Sequence, residues 1–168
     1  MIPTETPPQA IWQYKDIVKA EALALNLEPA IILAQIWTES SGDPQAKRFE
    51  SRYQYFYHTT KHSLWDAALT IEQNRNRALA NLGAEEFQFQ STSWGLMALA
   101  GTVARELGFE STSVELCDPT INIHYGCIAI NHRLNRAHGS YRSALIRYEG
   151  SPIYADLVLH RANMLETL

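Results

Sequence analysis

The segment PAIILAQIWTESSG, from Pro29 to Gly42, decides the fold of this 168-residue chain. It opens with proline, which suits the first turn of a helix because a backbone N–H there has no helical partner. It closes with glycine, the usual residue just past a helix end. Its apolar side chains point in nearly every direction around a helical axis, which is typical of a helix surrounded by protein. The segment therefore predicts a central buried helix.

Helical patterns flank this central segment on both sides. Upstream, apolar residues recur at helical spacing and predict a helix over residues 10–25, after an irregular leader of residues 1–9. Downstream, the predicted helices span residues 63–82, 94–107, 119–138, 140–148 and 153–165. No period-two strand stands out, although a run of aromatic residues leaves a short β-hairpin inside residues 43–60 open. We expect one all-α domain over residues 10–168.

Composition excludes several classes of protein. Fourteen basic and eighteen acidic residues give a net charge of −4, and no block of Lys or Arg stands out, so we expect no nucleic-acid partner. The sequence has no run of 18 apolar residues, so we expect no stable membrane insertion. It also lacks a basic start followed by an apolar run, so we expect no secretory signal. A monomer is the default expectation. Delivery to a target outside the cytoplasm would then depend on another protein.

The cysteines and histidines do not predict a metal or cofactor site. Cys117 and Cys127 are too few for a zinc site and lack CxxC spacing. Cys127 lies on an apolar helix face, which favours a buried free thiol over a disulfide with Cys117. The six histidines show no HExxH spacing, and no GxSxG motif or phosphate-binding glycine loop is present. We therefore expect no cofactor.

Glu39 is a carboxylate in an unfavourable place, the last turn of the predicted central helix. The unpaired carbonyls at a helix C-terminus carry partial negative charge, and apolar neighbours desolvate the carboxylate, so both effects raise its pKa. A carboxyl that stays protonated near neutral pH can donate a proton to a glycosidic oxygen. A solvated surface glutamate is the alternative, since Glu is rarely buried.

Several short segments resemble, in the same order, the soluble lytic transglycosylases and goose-type lysozymes. They are IWTESSG (Ile36–Gly42), WGLM and TVARELG (Trp94–Gly108), DPTINIHYG (Asp118–Gly126), ALIRYEG (Ala144–Gly150) and PIYADLV (Pro152–Val158). This resemblance implies a lysozyme-like fold and cleavage of the MurNAc-β-1,4-GlcNAc bond of bacterial peptidoglycan. It implies that Glu39 acts as acid and then as base. The sequence leaves open whether the product is a 1,6-anhydro sugar, as in lytic transglycosylases, or a reducing end, as in muramidases.

The resemblance also assigns residues around Glu39. Tyr148 matches the family tyrosine that reaches the catalytic carboxyl, where its phenol would hold that group by a hydrogen bond; a helix-end tyrosine packed on the core is the alternative. Positions near the family's cleft correspond to Ser40, Ser93 and Met97. AKRFE at residues 46–50 and the Ser-Trp pair before Gly-Leu-Met resemble phage-encoded lysins in particular. A phage lysin would be made in the host cytoplasm and released, or carried on a virion, to reach the cell wall.

A second carboxylate is less clearly marked. Glu50, eleven residues after Glu39, is the first candidate and Asp43 the next; the alternative for Glu50 is an ion pair with Arg48 or Arg52. Aromatic side chains that would stack on sugar rings or fill the core are Tyr53, Tyr55, Phe56, Tyr57 and Trp65.

Two positions depart from the family pattern. Ala98 replaces the usual Gln after Gly-Leu-Met, and Glu149 replaces the usual Asn after the tyrosine. Glu149 would raise the pKa of Glu39, bind another part of the wall, or simply face water. Both departures permit a catalytically silent wall-binding, virion or secretion component as the alternative function, whereas the matches at Glu39, Ser40 and Tyr148 favour an enzyme.

Overall fold

The computed structural model describes residues 5–58, 60–61, 63–64 and 69–165. After residues without regular structure, a 3-10 helix (Gln9–Tyr14) leads into α1 (Lys15–Ala24) and α2 (Pro29–Ser40). The other helices are α3 (Ile71–Leu82), α4 (Ala84–Gln90), α5 (Gly101–Glu106), α6 (Ser113–Leu116), α7 (Pro119–Arg136), α8 (Tyr141–Glu149) and α9 (Pro152–Leu165). The strands are β1 (Lys47–Phe49), β2 (Tyr57–His58), β3 (Ser63–Leu64), β4 (Thr92–Trp94) and β5 (Leu99–Ala100). The all-α prediction is confirmed.

The predicted central helix is α2. Every residue from Ile31 to Trp37 is buried, and α2 packs most extensively on α9 and also on α1 and the 3-10 helix. The chain leaves α2 through two residues with positive φ, Ser41 and Gly42. A Cβ at Gly42 would lie 3.0 Å from the Cβ of Ala10, so the bare backbone allows this close approach to the 3-10 helix. The main core forms around α2, from α1, α7, α8 and α9.

Helix α3 begins eight residues later than the sequence predicted. The prediction began the helix at residue 63, whereas Ser63–Leu64 forms β3, which pairs antiparallel with β2. Thr70 sets the true start, because its hydroxyl accepts a hydrogen bond from the backbone N–H of Gln73 and the Gln73 side chain bonds back to Thr70. The pattern over residues 63–82 was therefore only partly helical.

The predicted helix over residues 94–107 is wrong in its first half. Strands β1, β4 and β5 form an antiparallel sheet in the order β1-β4-β5, and only residues from Gly101 are helical. A tight turn joins β4 to β5, with positive φ at Gly95 and Ala98. Among the described residues of the range 43–60, the two strands do not pair with each other as the short hairpin would require: β1 pairs with β4 and β2 pairs with β3, and both partners lie outside that range. Helices α4 and α6 were not predicted.

Two further predictions concern burial and membranes. Cys117 and Cys127 are both buried and free, so the prediction of a buried free thiol at Cys127 is confirmed. Within the described residues, no helix combines the length and the apolar character that crossing a membrane requires.

Candidate active site

A groove with a volume of about 370 Å³ lies beside the C-terminal end of α2. Its walls include Glu39, Arg48, Glu50, Tyr53, Tyr55, Ser93, Ala98, Val103, Arg133, Tyr148 and Glu149. A smaller recess of about 90 Å³ shares Glu39, Arg48, Ser93 and Ala98 with it. The two spaces therefore adjoin beside Glu39. Among the described residues, no group of three His, Cys, Asp or Glu side chains is placed to hold a metal ion.

The carboxyl of Glu39 is held by a hydrogen bond from a residue near the C-terminal end of the chain. The Tyr154 hydroxyl donates a hydrogen bond to Oε1 of Glu39 at 2.6 Å, and Nε2 of Gln35 donates to the Tyr154 oxygen at 3.4 Å. Gln35 is fully buried on α2, and Tyr154 lies in the first turn of α9. The packing of α2 against α9 therefore fixes one oxygen of the carboxyl.

Tyr148 does not make the hydrogen bond that the sequence predicted for it. Its hydroxyl donates to the backbone carbonyl of Met97 at 2.7 Å, while Glu39 receives its bond from Tyr154. Tyr148 still lines the groove, and the guanidinium of Arg133 lies 4.9 Å from its ring centroid. The prediction failed because two tyrosines, six residues apart on consecutive helices, approach the same site. The sequence does not tell which of the two hydroxyls bonds the carboxyl.

The environment of Glu39 keeps its carboxyl protonated to an unusually high pH. Burial raises the pKa of Glu39 from 4.5 to about 7, against the lowering effects of the Tyr154 hydrogen bond and of the Arg48 charge. The charge of Glu149 raises it further. The expected position in the last turn of the helix is confirmed, since α2 ends at Ser40. Near neutral pH such a group can both donate and accept a proton.

Glu50 faces the groove as one half of an ion pair. Its Oε1 accepts a hydrogen bond from Nε of Arg48 at 2.5 Å, and both residues line the groove. The ion pair that the sequence left as an alternative is therefore present, and a role as second carboxylate stays a prediction. Asp43 lines neither the groove nor the recess; its Oδ1 accepts from the backbone N–H of Gln45 at 2.9 Å in a turn.

The other predicted substrate contacts divide into two groups. Ser93 and Glu149 both line the groove, where Ser93 is buried and Glu149 is exposed to water. The Ser40 hydroxyl instead donates to the carbonyl of Leu96 at 2.9 Å, and the Met97 side chain is fully buried. Ser40 and Met97 therefore support the residues that line the groove. Their side chains do not line it, so the structure does not place them in contact with a substrate.

The turn between β4 and β5 is fixed by one buried amide. Asn122 on α7 accepts from the backbone N–H of Met97 and donates to the carbonyls of Trp94 and Leu116, each at 2.9 Å. A Cβ at Gly95 would lie 2.4 Å from the same amide, so only glycine fits there. The turn that carries Leu96 and Met97, and with them the partners of Ser40 and Tyr148, is thereby held in place.

The matched segment around Asn122 consists of structural parts. The Asp118 carboxylate accepts from two backbone N–H groups in the first turn of α7 and so caps the helix. A Cβ at Gly126 would lie 2.3 Å from the sulfur of Met97, so the absent side chain makes room for the buried methionine. The D-P-x-x-N-I-x-x-G pattern therefore supports the floor of the groove.

The aromatic residues proposed for sugar stacking are only partly available. Tyr53 and Tyr55 line the groove. Phe56 and Tyr57 are buried and fill the core. Trp65 lies outside the described residues. Two of the four described positions therefore line the groove.

Sequence reasoning missed three residues of this site. Tyr154 stood in the matched segment Pro152–Val158, which was a signal, yet it was given no role. Arg48 was considered only as a partner of Glu50, although its charge also acts on Glu39. Arg133 lines the groove from α7, and nothing in its local sequence marked it.

A comparison with protein families covers the residues that line the groove, and Tyr154 lies one residue beyond the matched range. The model of the transglycosylase SLT domain matches residues 16–153, which include every residue that lines the groove. No curated protein and no solved structure matches the chain. The family match spans most of the chain and agrees with the resemblance found in its motifs. The chain therefore belongs to the transglycosylase SLT domain family, the peptidoglycan lytic transglycosylases.

Proposed function

We propose that this protein cleaves the MurNAc-β-1,4-GlcNAc bond of peptidoglycan with Glu39 as its general acid and base. The supporting observation is the carboxyl itself, which stands in an open groove with its pKa raised to about 7 by burial. The Tyr154 hydroxyl bonds Oε1, and no described residue bonds Oε2. Oε2 is thus the oxygen placed to exchange a proton with a substrate.

The reaction begins with protonated Glu39. Its proton passes to the bridging oxygen as the bond from that oxygen to C1 of MurNAc breaks, and the positive charge that develops at C1 is that of an oxocarbenium-like transition state. The carboxylate formed is stabilised by the Tyr154 hydrogen bond and by the Arg48 charge, the two influences that lower its pKa. The same carboxylate then removes a proton from the 6-hydroxyl of MurNAc, whose oxygen closes on C1 to give the 1,6-anhydro product.

This route needs no second carboxylate, because the substrate supplies its own nucleophile. Glu50, paired with Arg48 on the wall of the groove, would matter if water were the nucleophile instead. We propose transglycosylation as the reaction, in line with the family. A Glu50→Gln variant that keeps most of its activity supports this route, and one as inactive as a Glu39 variant supports hydrolysis through Glu50.

The decisive experiment compares the parent protein with Glu39→Gln on purified cell-wall sacculi. We expect the parent to clear the suspension and Glu39→Gln to lose at least about a thousandfold in rate, because the amide cannot donate the proton. Glu72→Gln, an exposed site on α3 outside the groove, is the matched control and should clear like the parent. Mass spectrometry of the products separates the anhydro form from its hydrate, heavier by one water. Equal clearing by Glu39→Gln would contradict the role proposed for Glu39, and no clearing by the parent would support the catalytically silent alternative.

We also propose that the enzyme acts on the wall as a phage lysin, made in the host cytoplasm and then released. The support is the resemblance of residues 46–50 and of the Ser93–Trp94 pair to phage-encoded lysins. Expression in bacterial cells with and without a membrane-permeabilising partner tests this. Lysis only in the presence of that partner is the expected result.

A further inference from the structure

A second cavity, of about 290 Å³, shares lining residues with the groove and is formed by α5, α7 and α8. We call it the basic cavity; its lining includes Val103, Glu106, His132, Arg133, Arg136 and Arg147. Val103 and Arg133 line both the groove and the basic cavity. The groove and the basic cavity therefore adjoin at these two residues, so a substituent on a glycan in the groove would lie close to the cavity.

The basic cavity concentrates unpaired positive charge in a chain of net charge −4. Three guanidinium groups, from Arg133, Arg136 and Arg147, line it, and Glu106 is the one carboxylate among its lining residues. Within the part of the chain that the structure describes, none of these arginines is in an ion pair, whereas Arg48, Arg105, Arg142 and Arg161 all are. The cavity therefore lacks the anions that would balance it.

Arg133 is held in place by the protein. Its Nη1 donates to the carbonyl of Ala129 at 2.9 Å, its Nε donates to the carbonyl of Arg147 at 3.3 Å, and its guanidinium lies over the Tyr148 ring. No described residue bonds Nη2. A guanidinium fixed in this way keeps its orientation when an anion arrives, so little side-chain entropy is lost on binding.

Helix dipoles explain part of this arrangement. Arg136 and Arg147 lie in the last turns of α7 and α8, where positive charge is favourable. Both side chains are exposed and so are solvated in the free protein, and the dipoles supply no anionic partner for the three guanidinium groups around the cavity. An anionic ligand would supply that partner.

We propose that the basic cavity binds the carboxylates of the stem peptide carried by a muramic acid residue in the groove. The proposal rests on the proposed function, because it needs the glycan bound past Glu39. Guanidinium groups bind carboxylates in paired, charge-assisted hydrogen bonds, and on strands that bear stem peptides the lactyl carboxyl of the sugar is tied up as an amide, so the carboxylates lie on the peptides. The enzyme then distinguishes strands that bear peptides from strands that have lost them.

The experiment measures kcat/KM on two purified substrates that are free of other anionic wall polymers. One is peptide-bearing glycan strands; the other is the same strands stripped of peptides by an amidase, with the lactyl carboxylates that the amidase frees then blocked as neutral amides. We expect the parent to prefer the peptide-bearing strands by about tenfold, a factor within reach of one or two charge-assisted hydrogen bonds. The double variant Arg136→Gln with Arg147→Gln should lose this preference to within about twofold and keep the parent's rate on stripped strands.

A matched double variant, Lys19→Gln with Arg142→Gln, removes the same charge from exposed sites outside the cavity and should keep the preference. Blocking the peptide carboxylates as neutral amides should abolish the preference of the parent. Equal rates of the parent on both substrates, or an equal loss by both double variants, would overturn the proposal. So would a loss seen only on walls that still carry other anionic polymers. Failure of the proposed function is a different result, since no form would then cleave either substrate.

Discussion

Tyr154 donates its hydroxyl proton to Oε1 of Glu39 at 2.6 Å, joining residues that are 115 positions apart in the sequence. The bond favours the charged form of Glu39 and so opposes the effect of burial on its pKa. Burial alone would leave the carboxyl so reluctant to ionise that it would be a poor base in the second half of the reaction. We infer that the hydrogen bond from Tyr154 keeps both the protonated and the charged form of Glu39 accessible during the reaction.

Tyr154→Phe is therefore expected to raise the pKa of Glu39 above about 7. The alkaline limb of the pH profile of kcat/KM should move upward by about one pH unit, because a hydrogen bond to a carboxylate is lost. The maximal rate should fall, since Oε1 is no longer held. Tyr148→Phe is the control: its hydroxyl bonds the Met97 carbonyl, so this variant should leave the limb in place. A shift in the control alone would restore Tyr148 to the role that the sequence suggested.

Glu149 and Arg48 should move the same limb in opposite directions. The negative charge of Glu149 raises the pKa of Glu39 and the positive charge of Arg48 lowers it, so Glu149→Gln should shift the limb down and Arg48→Gln should shift it up. We expect shifts of about half a pH unit for charges that face a solvated groove. The shifts should shrink in high salt, which screens such pairs. Shifts of equal sign in the two variants would show that neither acts through its charge.

The sequence predicted what local patterns determine. Proline at position 29, an apolar run and a polar end specify α2 and place Glu39 in its last turn, and the resemblance added the catalytic role. Tyr154 could not be ranked above Tyr148, because the choice depends on how α9 packs on α2. The seven residues Trp94–Ala100 were expected to be helical from their composition. They form a strand, a turn and a second strand because Asn122, far along the chain, binds their backbone.

Asn122→Ala should accordingly be one of the most damaging changes outside the groove. It removes three hydrogen bonds from a fully buried amide and leaves the Met97 N–H and two carbonyls without their partner. We expect a loss of about 3 to 5 kcal/mol in the free energy of unfolding, measured by urea denaturation. Asn131→Ala, a partly buried site on the same helix, should cost much less. Comparable losses for both would mean that the turn does not depend on the Asn122 amide.

Glu39→Gln should stabilise the protein, and the gain should grow with pH. The folded protein holds the Glu39 proton up to pH about 7, whereas the unfolded chain releases it near 4.5. Between these values the folded state binds more protons than the unfolded state, so the contribution of Glu39 to stability falls as the pH rises. Above pH 7 the neutral amide should be more stable than the parent by up to about 3 kcal/mol, and below pH 4.5 the difference should vanish. Urea denaturation of both forms at a series of pH values checks this. A difference that stays constant from pH 4 to 8 would mean that Glu39 ionises as freely as in water, and the proton donor proposed here would be lost with it.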